Sequence, residues 1–206
     1  MSDHAPLRVA LTFDAEHPDR SWCPPGNVEH ILDILSEAEV RATFFVQGRW
    51  AESQPETARR IADDGHLVAH HSHYHARMPL LSDDGIRSDV MDAQAIIERI
   101  TGQDPRPWFR CPFGAGAEDA RVLELLEELG YRNVHWHVEL QDWESWRSGR
   151  AIADDAVAGV TDHGDGAVVL LHTWPGGTGE GIGRIVSDLQ ERGATFVPID
   201  ELEALP

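Results

Sequence analysis

Leu7-Arg8-Val9-Ala10-Leu11-Thr12-Phe13-Asp14-Ala15-Glu16-His17 is a largely apolar run that closes on two carboxylates and an imidazole. A run of that length, Leu7–Phe13, reads as a buried strand. Similar runs recur at Ala42–Val46, Leu67–Ala69, Trp108–Arg110, Asn133–Trp136, Ala167–Leu171 and Thr195–Val197. Segments of helical period lie between them: Val28–Ala38, with Val28, Ile31, Leu32 and Leu35 on one stripe, then Ile86–Ile100 and Val122–Leu129. Glu56–Ala62 and Ile182–Gln190 carry a fainter helical pattern. Gly65, Gly130 and Gly193 stand where helices should stop.

Strands alternating with helices over about seven units, with no linker between them, predict a parallel sheet with helices outside it and one domain over residues 1–206. An open doubly wound sheet and a closed barrel both satisfy the pattern. No G-x-G-x-x-G follows the first strand and no G-x-x-x-x-G-K-[S/T] occurs, so the nucleotide-binding open sheets lose support and the barrel gains. In a barrel the reacting groups sit at the C-terminal strand ends. Polar residues fall there repeatedly: Asp14, His71, Arg110, Asp142 and His172.

Composition narrows the partners. With 17 basic and 36 acidic residues the formal charge is −19, which disfavours nucleic acid and anionic membrane surfaces. Two cysteines, Cys23 and Cys111, give no disulfide framework and no C-x-x-C metal pattern, although one bridge between them is possible. Met1–Arg8 has neither the basic nor the apolar region of a secretory leader, and no stretch is long enough to span a bilayer. The expectation is a cytoplasmic protein, or an exported one if a leader lay upstream. Oligomeric state is not legible.

Five of the twelve histidines lie between His66 and His75. His71 and His75 stand four apart, so one helical turn or a tight helical loop would bring both rings to one ion, whereas a solvated histidine-rich loop is the plainer reading. In an extended strand end Asp14 and Glu16 point to one side, where one could ligate a metal and the other handle protons; turn or cap roles are the alternative. Arg110-Cys111-Pro112-Phe113-Gly114 implies a rigid turn with a backbone N–H at Phe113 suited to an oxyanion. Arg110 itself could orient a carboxylate or make a surface ion pair. His172 closes the apolar run Val168–Leu171, as a structural residue or as an acid.

Together these residues make a set for metal-assisted hydrolysis, and the arrangement resembles the polysaccharide deacetylases, the NodB-homology group of carbohydrate esterase family four. Five ordered motifs between Leu11 and about Thr173 carry the resemblance. Thr12-Phe13-Asp14-Ala15-Glu16 is similar to T-F-D-D-G, and His71-Ser72-His73-Tyr74-His75 meets H-[S/T]-x-x-H. Arg110-Cys111-Pro112-Phe113-Gly114 meets R-x-P-[Y/F]-G, Asp142-Trp143 resembles the fourth motif and Leu170-Leu171-His172 the fifth.

The resemblance implies a distorted parallel (β/α) barrel and removal of acetyl groups, N-acetyl first, from an oligo- or polysaccharide. It implies one divalent ion, zinc before cobalt or nickel, with His71 and His75 as ligands. Asp14 would be the general base on water, Arg110 its orienting partner, Phe113 N–H the oxyanion donor, and His172 the acid held by Asp142. Trp143, Leu170 and Pro112 would form the apolar groove for the acetyl methyl, while His70, His73, Trp136, His137 and Trp174 are candidates to line the cleft. One departure stands out: the family's second aspartate, a metal ligand, is Ala15 here. Glu16 is the nearest replacement, with His17 or Asp14 itself as the other options. Hydrolysis of a cyclic amide or ureide on the same fold, and a catalytically silent glycan- or metal-binding barrel, are the alternative functions.

Overall fold

In chain order the elements are β1 (Leu7–Ala15), α1 (Asn27–Glu37), β2 (Thr43–Val46), α2 (Gly48–Ser53), α3 (Pro55–Asp63), β3 (Leu67–His70), α4 (Asp83–Thr101), β4 (Trp108–Phe109), α5 (Ala120–Glu128), β5 (Arg132–Asn133), β6 (Val138–Glu139), α6 (Gly149–His163), β7 (Ala167–His172), α7 (Gly176–Glu191) and β8 (Ala194–Phe196). Short 3-10 turns lie at Met78–Leu80, Pro112–Gly114 and Ile199–Glu201. The structure is a computed structural model and describes residues 7–18, 23–202 and 205–206. Most of the N-terminal segment read above for a leader therefore lies outside the described residues. Among the described residues no helix is long and apolar enough to cross a membrane.

Two compact units result, one from the described residues of segments 1–13, 18–43 and 136–206, the other from 14–17 and 44–135. In the first, β1 pairs in parallel with β8, Leu7 opposite Ala194 and Val9 opposite Phe196. β7 lies on the other side of β1, and β6 follows in parallel with Val138 opposite Val169. Ala167–Leu171 is buried throughout, as a parallel strand covered on both faces must be.

Helices α6 and α7 meet through glycines. A Cβ on Gly181 would lie 2.6 Å from the Gly149 carbonyl oxygen, and one on Gly149 would lie 2.5 Å from Glu180 Cβ. That close approach explains two differences from the sequence reading. Helix α7 begins at Gly176, well before Ile182, because its glycine-rich first turns are poor helix formers in isolation and are held by packing. Helix α6 gives a weak helical signal because its buried stripe, Gly149, Ile152, Ala153, Ala156, Val157 and Val160, mixes small residues with β-branched ones that suit strands as well.

The second unit carries the parallel order β5-β4-β3-β2, with Trp108 opposite Arg132 and His70 opposite Phe109. Its core joins Met78, Ile86, Val90, Phe109, Val122, Leu125, Leu126 and Tyr131. Helix α4 has a full set of end signals: Ser82 Oγ accepts the Gly85 N–H at 3.1 Å, Asp83 and Asp84 fill the first turn, and Gly102 at φ 73° ends it. Gly65, Gly130 and Gly193 all adopt positive φ, as their stop positions require. Both cysteines are free, so the possible bridge is not made. Burial raises the Cys111 thiol to about 12 and leaves it unreactive.

The expected strand Asn133–Trp136 is a correction. The chain is β-paired at Arg132–Asn133 and again at Val138–Glu139, with no strand over 134–136. Val134 N–H still donates to Phe109 O at 2.7 Å, whereas His137 N–H donates to Val168 O at 2.9 Å. One apolar stretch therefore serves two different neighbouring strands, and periodicity alone shows it as one run.

Candidate functional site

Asp14 and Glu16 leave the end of β1 two residues apart and are 4% and 2% exposed. Carboxylates so buried need partners. Arg110, just past β4 and 1% exposed, donates from Nη1 to Asp14 Oδ1 at 2.9 Å. Its remaining donors are also placed: Nε to Val134 O and Nη2 to His135 O, each at 3.2 Å, with the guanidinium 3.9 Å over the Phe45 ring. Burial pulls the Arg110 pKa down and Asp14 opposes it, with a net downward direction; a guanidinium stays protonated regardless. Of the two readings of Arg110, the structure makes the buried carboxylate partner and not the surface pair.

His71 and His75 come together, though not on a helical turn. Residues 71–76 are an irregular bend in which Ser72 and His75 take positive φ, 61° and 57°. The His71 and His75 ring centroids are 5.0 Å apart. His71 Nδ1 lies 2.9 Å from Arg110 O, which fixes the tautomer and turns Nε2 towards Glu16 Oε2 at 3.3 Å and Asp14 Oδ2 at 3.5 Å. His75 Nε2 lies 2.5 Å from Glu16 Oε2. Burial by itself lowers the His71 pKa, but the Asp14 and Glu16 carboxylates outweigh it and the net direction is up.

Glu16, His71 and His75 each offer one ligand atom, and these atoms lie within 4.8 Å of one another. Two imidazoles and a carboxylate are a zinc-type donor set, whose ligand distances of about 2.0–2.2 Å place donors roughly 3–4 Å apart. Among the described residues the buried His71 Nε2 has no well-aligned hydrogen-bond partner and faces the Glu16 and Asp14 oxygens at 3.3 and 3.5 Å, an arrangement a shared cation would suit. The residues therefore fit a divalent ion. His17, one of the other options for the third ligand, points elsewhere: its Nε2 lies 3.3 Å from Arg49 O and 3.4 Å from Ser53 Oγ.

Phe113 sits in the Pro112–Gly114 turn at φ 57°, with its ring 4.4 Å from the His75 ring. The turn closes through Gly114 N–H to Cys111 O and Ala115 N–H to Pro112 O, neither of which uses the Phe113 N–H. Pro112 is buried at its start. Of the other histidines in the cluster, His70 has both ring nitrogens engaged in the fold. His70 Nδ1 accepts the Ser72 N–H at 3.0 Å while Nε2 faces Val90 O at 2.9 Å, and burial drives its pKa down to about 3.

The first unit holds a separate cluster. Asp142, 2% exposed, receives His172 Nδ1 at 2.8 Å, His172 N–H at 2.7 Å and Thr178 Oγ at 2.6 Å. Trp143 stands edge-on to the His172 ring at 5.3 Å, and Trp174 lies 5.9 Å from it. Leu170 is buried two residues before His172 on β7, hence on the same face of the strand. His137 does not join this group; its ring stacks on His163 at 3.9 Å and its Nδ1 accepts the Val168 N–H.

A family model described as polysaccharide deacetylase matches residues 2–134. The chain belongs to the polysaccharide deacetylase family. It is thus a hydrolase of the type acting on carbon–nitrogen bonds other than peptide bonds. The peptidoglycan-N-acetylmuramic acid deacetylase PdaA of Bacillus subtilis is 31% identical over 195 residues, 94% of this chain and 70% of that protein. A chitooligosaccharide deacetylase of Sinorhizobium fredii is 33% identical over 165 residues, 80% of this chain and 71% of that protein. Among solved structures, a variant of a Bacillus anthracis CE4-family pseudoenzyme with restored enzymatic activity superposes with a TM-score of 0.83 at 29% identity, covering 96% of this chain and 67% of that one. The fold expected from the sequence, a distorted parallel β/α barrel, is the fold this chain shares with the deacetylase's structural relatives.

Sequence reasoning missed Asp89, Thr178 and the Ser72 hydroxyl, whose Oγ accepts the His75 N–H at 2.9 Å. Asp89 lies on α4 and accepts the backbone N–H groups of His73 and Tyr74; burial raises its pKa and those two bonds oppose the rise. An aspartate in an acidic helix gives no signal of that duty. Thr178 follows the glycine pair Gly176-Gly177 at the start of α7, which itself was not recognised as helix.

Proposed function

We propose that this deacetylase removes N-acetyl groups from a glycan with the help of one divalent ion, zinc before cobalt or nickel, and that residues 1–206 serve as one catalytic domain. The observation that carries the reading is the meeting of Glu16 with both His71 and His75 beside the Asp14–Arg110 pair. Glu16 takes the place that Ala15 cannot fill, being one residue later and one methylene longer than the family's aspartate. The ion, when bound to Glu16, His71 and His75, supplies a Lewis acid that makes water acidic near neutrality and polarises a carbonyl.

The chain's own residues do the rest. Asp14, held by Arg110, takes the proton of the attacking water, and the Phe113 N–H donates to the oxyanion. His172, whose Nδ1 is engaged by Asp142, gives a proton from Nε2 to the departing amine, so acetate and a free amino sugar leave. Trp143, Leu170 and Pro112 are read as the apolar surface for the acetyl methyl. The substrate class follows the relatives, which act on peptidoglycan and chitooligosaccharides.

Acetate release from N-acetylated chitooligosaccharides and from peptidoglycan, by zinc-loaded and chelator-treated protein, tests the reading. Release that requires the ion supports it. Turnover of a cyclic ureide in place of both glycans would favour the amide-hydrolase alternative. A protein that holds one ion per chain and releases nothing would favour the silent barrel, a reading motivated by Ala15.

A further inference from the structure

The loop carrying His75 has every backbone N–H from His71 to His75 assigned to an acceptor. His71 N–H donates to Val46 O at 3.0 Å and Ser72 N–H to His70 Nδ1 at 3.0 Å. His73 and Tyr74 N–H donate to Oδ1 and Oδ2 of Asp89 at 2.8 and 3.0 Å, and His75 N–H donates to Ser72 Oγ at 2.9 Å. Four of these five acceptors are side-chain atoms. The carbonyls of Ser72 and His73 are taken by Gly48 and Arg49 N–H. A bend with two left-handed residues has no repeating hydrogen-bond pattern of its own, so side chains must supply one.

We propose that Asp89, acting with Ser72, is a positioning residue that sets the metal affinity of the Glu16–His71–His75 cluster. This rests on the metal-centred reading given above. His71 is already fixed from behind by Arg110 O. Among the described residues no backbone carbonyl fixes the His75 ring from behind; its Nε2 meets Glu16, its face packs on Phe113, and its Cα is placed by the bend. Asp89 is 4% exposed on the long helix α4, and its two oxygens accept from two successive amides, which only a carboxylate does. An amide at the same place keeps the size but sets an NH2 against one of the two N–H donors. The nearby packing leaves no slack, since a Cβ on Gly48 would lie 2.6 Å from His73 Nδ1. Partners that orient metal ligands typically contribute 10- to 100-fold in affinity.

The test is zinc affinity by competition with a chromophoric chelator, together with circular dichroism and kcat at saturating zinc. Asp89→Asn should fold, bind zinc roughly 10- to 100-fold more weakly, and recover a kcat within a few-fold of wild type when zinc saturates. Ser72→Ala should weaken zinc by a smaller factor, about three- to tenfold, because only the His75 N–H loses its acceptor. Asp92→Asn, on the exposed side of the same helix, should bind as wild type. Wild-type zinc affinity in folded Asp89→Asn and Ser72→Ala proteins overturns the proposal while leaving the metal site intact. If Asp89→Asn fails to fold, Ser72→Ala decides alone by the same criterion. A wild-type protein that takes up no zinc overturns the metal-centred reading and this proposal with it.

Discussion

The two clusters differ in how complete they are. Asp142 has three donors in place, His172 Nδ1, His172 N–H and Thr178 Oγ, and needs nothing further to be a stable buried carboxylate. Glu16, His71 and His75 present two imidazole nitrogens to one carboxylate oxygen, while the hydrogen bonds that hold His71 and the bend carrying His75 run to Arg110 O, Ser72 Oγ and Asp89. The first arrangement suits the proton-donor role proposed for His172. The second fits the divalent ion proposed above, and the contrast is between a carboxylate closed by three donors and a donor set left open at the His71 Nε2 atom.

The largest expected effect breaks the contrast at the cradle. His71→Ala and His75→Ala should each lose the ion and fall to background acetate release, because two protein ligands hold zinc poorly. His172→Gln should keep full metal content. Metal analysis after gel filtration checks both, and stoichiometric zinc in either alanine variant would remove that residue from the ligand set. Thermal unfolding gives a second reading: zinc at 100-fold over its dissociation constant should stabilise wild type by about 2.7 kcal/mol and the alanine variants hardly at all.

Next in size are the residues proposed to move protons. Asp14→Asn and His172→Gln should each lower kcat by roughly 10²- to 10⁴-fold with metal retained. Loss of zinc in Asp14→Asn would instead make Asp14 a ligand. Thr178→Ala removes one of three donors to Asp142 and should cost about tenfold in kcat, the scale of one charge-assisted bond of about 1.5 kcal/mol. An unchanged kcat in that variant would show that Asp142 holds His172 without help.

Much of this was legible. Strand ends are visible in sequence because a parallel strand buried on both faces is a continuous apolar run, and the next polar residue marks its end; Asp14 and His172 are read that way. Arg110 was visible as a residue, but not its burial, since nothing local distinguishes a guanidinium under Phe45 from one in solvent. The His71/His75 pairing was visible through its spacing, yet the spacing suggested a helical turn or a tight helical loop, and the irregular bend found there is held by Asp89, fourteen residues beyond His75. Helix α6 and the start of α7 were hidden for one shared reason. The small residues through which the two helices meet, Gly149 and Gly181 among them, thin the large apolar side chains that mark a helical stripe.

The smallest effect compares two arginine-held carboxylates, one in each unit. Asp14 meets Arg110 where both are buried, whereas Asp165 meets Arg8 at the surface through Arg8 N–H at 2.7 Å, Nε at 3.1 Å and Nη2 at 2.6 Å. The Arg8 guanidinium and backbone N–H hold the Asp165 pKa down at about 2. A carboxylate whose folded pKa is depressed stabilises fully above its unfolded value, near 4, and loses that contribution as pH falls towards 2. Solvent screening limits it to under about 1 kcal/mol. The difference in urea midpoint between wild type and Asp165→Asn should therefore be constant from pH 7 to about 5, shrink below pH 4, and narrow further in high salt. A difference that is independent of pH would mean that Asp165 acts through the neutral hydrogen bonds an asparagine retains only in part, not through its charge.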